Sequence, residues 1–222
     1  MKGIIFDFNG TLIFDRQAHE DSWHHLIPKL RGTGFSENEF KEHVHGRTNR
    51  EIFSYVFDKE LTEKEAEVYG EEKESLYRTY LVKDKNACSL VQGLESFFDA
   101  LKEMNIPMAI ATASPASNVA FYRERFHLDQ WFAEDHIIYA DGTMPGKPDP
   151  AIFNKAIEVL GLPAHECIIV EDSPLGIRAA IAAGAGRVIG IWANEEVLAE
   201  LDQLPLYKKI QNYDELDMEI FK

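Results

Sequence analysis

The chain is predicted to be an α/β protein, a Rossmann-like three-layer core on a parallel sheet with an inserted helical domain. Five short apolar runs, Gly3 to Phe8, Pro107 to Ala111, Ile137 to Ala140, Cys167 to Val170 and Arg187 to Ile191, end at small or acidic residues. Runs that are apolar throughout, rather than alternating, suit strands covered on both faces, as in a parallel sheet. Helical patterns follow these runs, and between residues 15 and 90 the strand pattern disappears altogether.

The first run opens as Met1-Lys2-Gly3-Ile4-Ile5-Phe6-Asp7, so a charge arrives too early for a signal peptide. Helices are expected at about 16–30, 36–45, 48–58 and 62–81, with Gly32, Gly34 and Gly46 as punctuation. This divides the chain into a core of residues 1–14 and 91–222 and a helical cap of residues 15–90. Farther on, Ser114-Pro115, Asp149-Pro150 and Ser173-Pro174 each offer an N-cap followed by proline at the first helical position. Trp131-Phe132 reads as a packing anchor. Gly184-Ala185-Gly186 follows a helix and opens a strand, the reverse of a dinucleotide fingerprint.

Composition narrows the function. The 222 residues carry 23 Lys and Arg against 38 Asp and Glu, a formal charge of −15, which disfavours a sequence-independent grip on nucleic acid. The excess acid lies mostly in residues 36–76 (twelve acidic, six basic) and from 194 onward (eight against three), where solvated helix surface is expected. Cys88 and Cys167 form no CxxC pair and read as buried apolar residues. No apolar stretch approaches the roughly 18–20 residues of a membrane span. A cytoplasmic protein, monomeric or weakly dimeric, with neither membrane nor nucleic-acid partner, is the expectation.

Chemistry in open α/β sheets collects at the carboxyl ends of the strands. The first run delivers Asp7 there, and Gly10 allows a tight turn expected to expose it. The second delivers Thr112-Ala113-Ser114, hydroxyls and amides at a helix start, where anions are favoured. Gly146-Lys147-Pro148 adds a cation between rigid residues, and Glu171-Asp172 adds two adjacent carboxylates. Together they suit a hard divalent cation beside donors for phosphate oxygens.

The ordered set DFNGT, TAS, GKPDP and EDSPLG, spanning residues 7 to 176, resembles the four motifs of the haloacid dehalogenase superfamily. The insertion after the first motif is similar to the helical cap of its β-phosphoglucomutase and phosphoglycolate phosphatase branch. The resemblance implies a Mg2+-dependent phosphatase acting on a small phosphorylated metabolite, a sugar phosphate in the first instance. Asp7 would be the nucleophile, forming an aspartyl-phosphate, with Thr112, Ala113, Ser114 and Lys147 around the phosphoryl group. Asp7, Asp172, the Asn9 carbonyl and Glu171, directly or through water, would hold the metal.

One position departs from the family pattern. Where the family usually places a second Asp as general acid and base, this chain has Asn9, which cannot titrate. Two alternatives therefore stand beside the phosphatase: a β-phosphoglucomutase-like phosphotransferase, and a phosphate-ester binding protein of low turnover. In the cap, His19 resembles a hinge-helix histidine that partners the missing acid, and it offers a titrating imidazole. Arg47 and Arg50 flank Asn49, which aligns with a phosphate-gripping arginine. Lys73 resembles a cap lysine facing the site, although its flanking glutamates also suit an exposed helix residue. His24-His25 and His43-x-His45 read as solvated histidines rather than metal ligands.

Overall fold

The computed structural model describes residues 1–44 and 47–221. The chain forms two compact units, Met1–Phe14 with Ser89–Lys222, and Asp15–Cys88. Strand β1 (Gly3–Phe6) precedes the four helices of the second unit, α1 (Arg16–Arg31), α2 (Glu37–His43), α3 (Asn49–Phe57) and α4 (Glu63–Lys83). The first unit resumes with α5 (Leu94–Glu103), β2 (Met108–Thr112), α6 (Ala116–Arg125), β3 (Ile137–Tyr139) and α7 (Ala151–Leu160). It ends with β4 (Cys167–Glu171), α8 (Pro174–Ala182), β5 (Arg187–Ile191), α9 (Glu195–Leu201) and β6 (Lys208–Ile210).

The six strands form one sheet in the order β3-β2-β1-β4-β5-β6, and every pairing is parallel. β1 lies at the centre between β2 and β4, where Ile4 pairs with both Met108 and Ile168. Side chains alternate between the faces of a strand. Ile5, Ala109, Ala111, Cys167, Ile169 and Val188 accordingly share one face, packed on Phe153 of α7, Ile177 of α8 and Leu201 of α9. Phe6 points the other way, meeting Phe98 of α5 edge-on with ring centres 5.2 Å apart. Phe98 in turn packs on Phe132 and Trp131, and the Trp131 indole donates to Asp99, so the anchor expected there is formed.

β1, β2 and β4 are buried along their whole length, as their unbroken apolar sequences require. The edge strand β6 escaped the sequence reading, because Lys208-Lys209-Ile210 carries charge where a buried strand would not. Part of the acidic tail is thus strand and loop rather than helix surface. Two of the three expected caps differ as well. Helices α6 and α7 begin one residue later than expected, with Pro115 and Pro150 themselves at the N-cap. At α8 the expectation holds: Ser173 accepts the Gly176 N–H and Pro174 opens the helix.

The second unit is all-helical around a core of Trp23, Leu26, Ile27, Phe40, Ile52 and Phe53. Ser36–Glu39, Thr48–Glu51 and Thr62–Glu65 form reciprocal capping boxes that fix the starts of α2, α3 and α4. The helices stop within two residues of the expected bounds, apart from the end of α2 next to His45 and Gly46, which lie outside the described residues. No helix among the described residues is long and apolar enough to cross a membrane.

Phe98 is fully buried between Phe6 and Phe132. Phe98→Ala should therefore destabilise the protein by about 3–5 kcal/mol, read as a lower urea midpoint with an unchanged slope.

Candidate active site

The strand order reverses direction on either side of β1, so the chain leaves a crevice at the carboxyl ends of β1, β2 and β4. Asp7 follows β1 directly, and its N–H donates to the Val170 carbonyl of β4, which extends the ladder by one residue. Gly10 then turns the chain at φ +78°, and its N–H closes on the Ile13 carbonyl at 2.8 Å. A Cβ at Gly10 would stand 2.2 Å from Asp172 Oδ2, so only glycine fits both the angle and the space. Contrary to expectation, the turn does not expose Asp7, which is only 6% accessible. The turn brings the Thr11 hydroxyl to 3.5 Å from Asp172 Oδ1.

Lys147 joins the strand ends. Its Nζ donates to Asp7 Oδ1 and to Glu171 Oε2, both at 2.6 Å, and it stands over the Phe153 ring at 4.9 Å. The Lys147–Pro148 peptide is cis. Glu171 is also held from the other side: its Oε1 accepts from the Asp172 and Ser173 N–H groups and from the Ser173 hydroxyl. Oxygen atoms of Asp7, Glu171 and Asp172 all lie within 4.8 Å of one another.

Three carboxylates around one ammonium leave an excess of buried negative charge. Burial and the neighbouring Glu171 raise the Asp7 carboxyl to about 7, against the pull of Lys147. Burial, Glu171 and Asp7 push Asp172 well above the usual carboxylate range. Burial would raise Glu171 too, but Lys147 and its hydrogen bonds outweigh that and keep it low. Lys147 is likewise held above its ordinary value, since its two carboxylate partners outweigh its burial. An all-oxygen donor set with surplus negative charge fits a hard divalent cation.

Beside this cluster, β2 delivers Thr112, Ala113 and Ser114 as expected. Thr112 is fully buried, Ser114 nearly so, and Ala113 is exposed. The Ser114 hydroxyl does not cap α6; it donates to Asn9 Oδ1 at 2.7 Å. Thr112 Oγ1 accepts the Ser114 N–H at 3.1 Å and lies 3.4 Å from the same amide oxygen. Asn9 Nδ2 donates to the Tyr122 hydroxyl at 2.9 Å. Tyr122 was not foreseen, because nothing in the spacing of α6 marks it.

The remaining candidates lie in the helical unit. Lys73 is no exposed helix residue: it is 2% accessible, 3.0 Å from Glu74 Oε1 and 2.7 Å from His19 Nδ1. Burial lowers its pKa, with Glu74 opposing. The other His19 nitrogen faces Asp15 at 3.4 Å, its ring stacks on Tyr77, and Tyr77 donates to the same Asp15 oxygen. Asn49 donates to Glu74 Oε1 at 2.8 Å. Arg47 and Arg50 line a cavity of about 470 Å³ with His43, Ser54 and Tyr55; Arg47 is 3.7 Å from Glu51, and Arg50 donates to the Leu61 carbonyl. His24 stacks on Phe40, His25 bonds Tyr80 and Lys29, and His43 stacks on Tyr55, so these three have packing partners.

A buried carboxylate cluster crossed by a lysine stands at the strand ends of a doubly wound sheet, where ligand sites of open α/β sheets lie. The model of the haloacid dehalogenase-like hydrolases matches residues 1–184, and the chain belongs to that family. It is similar to a haloacid dehalogenase hydrolase, family IA, variant 3, from Entamoeba histolytica HM-1:IMSS, with 42% identity, 100% of this chain and 97% of that one covered, and a TM-score of 0.90. Hexitol phosphatase A of Escherichia coli is 26% identical over 94% of this chain and 95% of its own. The fold is shared with β-phosphoglucomutase of Clostridium difficile, at 23% identity, TM-score 0.73, covering 99% and 95%.

The raised Asp7 and Asp172 carboxyls make the metal-free protein sensitive to pH. Below about 7 folded Asp7 keeps a proton that the unfolded chain releases near the ordinary aspartate value of 3.8, so stability falls as pH rises through that window. In chelator-treated protein the thermal midpoint should therefore decline from pH 5 to pH 8 by several degrees, as expected for a loss of about 2–3 kcal/mol.

Proposed function

We propose that the protein is a Mg2+-dependent phosphatase of small phosphorylated metabolites, sugar phosphates foremost, working through an aspartyl-phosphate on Asp7. The observation that carries this is the contact of Lys147 with both Asp7 and Glu171 beside Asp172, at the ends of the adjacent strands β1 and β4. The name of the hexitol phosphatase relative supports the substrate class.

In this reading an Asp7 oxygen attacks phosphorus and the bond to the ester oxygen breaks, leaving the phosphoryl group on the carboxylate. Water then cleaves the acyl phosphate, regenerating Asp7 and releasing phosphate. Lys147 keeps Asp7 oriented and offsets the charge gathering on the phosphoryl oxygens. The Thr112 and Ser114 region, with the exposed backbone at Ala113, receives those oxygens. Asp7 and Asp172, with the Asn9 carbonyl, would hold the metal. Glu171, whose two oxygens are already engaged, suits contact through water. Bound there, Mg2+ supplies charge neutralisation and a template for the phosphoryl oxygens.

Asn9 cannot protonate the leaving oxygen, so turnover depends on the leaving group. Among the described residues His19 has both ring nitrogens directed at partners in its own unit, which favours a site working without a substitute proton donor at that position. The helical unit, residues 15–90 in this reading, then serves as a cap that selects the metabolite through Arg47, Arg50, Lys73 and His19. The protein would act in the cytoplasm as a monomer or weak dimer.

An ester panel assayed for phosphate release with Mg2+ tests the reading. Wild type should release phosphate, and Asp7→Asn should fall to background; full activity in that variant would overturn the mechanism. Asn9→Asp should speed hydrolysis of alkyl phosphates by about 10²–10⁴, and much less that of aryl phosphates, whose leaving groups need no proton. Sugar-phosphate isomerisation without phosphate release would point to the phosphotransferase instead. A third expectation concerns the metal: Mg2+ should raise the thermal midpoint more at pH 8 than at pH 5, since it competes with the protons on Asp7 and Asp172.

A further inference from the structure

Position 9 is unusual in its surroundings as well as in its residue. Asn9, Ser114 and Tyr122 form a ring of side chains. Asn9 Nδ2 donates to Tyr122 Oη at 2.9 Å, Ser114 Oγ donates to Asn9 Oδ1 at 2.7 Å, and the two hydroxyls stand 3.4 Å apart. The direction of the amide follows from Thr112. Its Oγ1 accepts the Ser114 backbone N–H, which can only donate, and its own hydrogen is then available to the amide oxygen 3.4 Å away. The oxygen of Asn9 therefore belongs on the Thr112–Ser114 side and the NH2 on the Tyr122 side.

Tyr122 is a rigid partner for that NH2. It is 1% accessible, and its ring stacks on Phe8 with centres 4.0 Å apart and planes 11° apart. Phe8 immediately precedes Asn9, so Tyr122 packs its ring on the Phe8 ring and its hydroxyl meets the next side chain. Phe126, one turn farther along, lies beside the stacked pair, 6.0 Å from Phe8 and 6.4 Å from Tyr122. The hydroxyl can donate or accept, so Tyr122 fixes where the amide sits, while Thr112 and the Ser114 N–H set which way it faces.

The geometry points to Tyr122 as a positioning residue for Asn9, anchoring the side-chain amide at position 9 beside Thr112 and Ser114. This rests on the phosphatase reading for its catalytic consequence, but not for the contact itself. Where an aspartate at this position would titrate, the asparagine offers only a fixed dipole, and fixing it preserves the one electrostatic contribution the residue can make.

The test pairs nuclear magnetic resonance with kinetics. The Asn9 side-chain NH2 is assigned in 15N-labelled protein by its loss in Asn9→Ala. In Tyr122→Phe that NH2 should shift and exchange with solvent about tenfold faster, and kcat should drop about tenfold with KM within about twofold, the effect of one lost hydrogen bond. In the Asn9→Ala background Tyr122→Phe should cost less than about twofold more, since the hydroxyl acts through the amide. Unchanged NH2 signals in Tyr122→Phe would overturn the inference, as would an equal loss of kcat in both backgrounds, the mark of a general packing role. If wild type cleaves no ester, the phosphatase reading fails, and the NH2 exchange still decides the role of Tyr122.

Discussion

The ion pair of Lys147 with Asp7 and Glu171 is the constraint around which the catalytic unit is arranged. Two contacts of 2.6 Å tie a loop residue between β3 and α7 to the ends of β1 and β4, residues 140 and 24 positions away. Buried charges cost several kcal/mol each in lost hydration unless paired. Without the ammonium, three carboxylates within 4.8 Å would repel one another in a site shielded from water. Sheet order, the Gly10 turn and the Glu171 amide contacts all keep these groups close. The pair supplies one positive charge against three negative ones; burial first and this surplus second raise Asp7, and the surplus fits a divalent cation.

The surroundings of Asn9 engage its amide from both ends. Ser114, well placed to cap α6, gives its hydroxyl to the amide, and the helix starts one residue later at Pro115. An uncharged amide needs both a donor and an acceptor nearby, which the Ser114 and Tyr122 hydroxyls supply. The site at position 9 is thus polar, fully engaged and unable to carry a proton in the pH range of catalysis.

The helical unit concentrates its charge differently. Lys73, Glu74, Asp15 and His19 are drawn inward around Tyr77, although most of the unit's acid lies on its surface. Lys73 accepts a lowered pKa for its burial, and Glu74 opposes that shift. Three capping boxes start the surrounding helices at fixed residues, so these side chains meet on a well-defined frame.

Period and local chemistry determined much in advance. Unbroken apolar runs marked the five strands of the sheet that are buried, and Ser173 before Pro174 marked the start of α8, because these signals depend only on neighbours in the chain. The residue types of the site, Asp7, Lys147, Glu171 and Asp172, were legible for the same reason, each standing at a strand end or between rigid residues. Tertiary structure alone decided that Asp7 is covered rather than exposed, that Lys73 is buried between glutamate-rich neighbours, and that Tyr122 reaches Asn9 from 113 residues away. Burial and long-range hydrogen bonds depend on which surfaces the fold brings together, and no local pattern encodes that. The charged edge strand β6 belongs with them, since only pairing with β5 makes Lys208–Ile210 a strand.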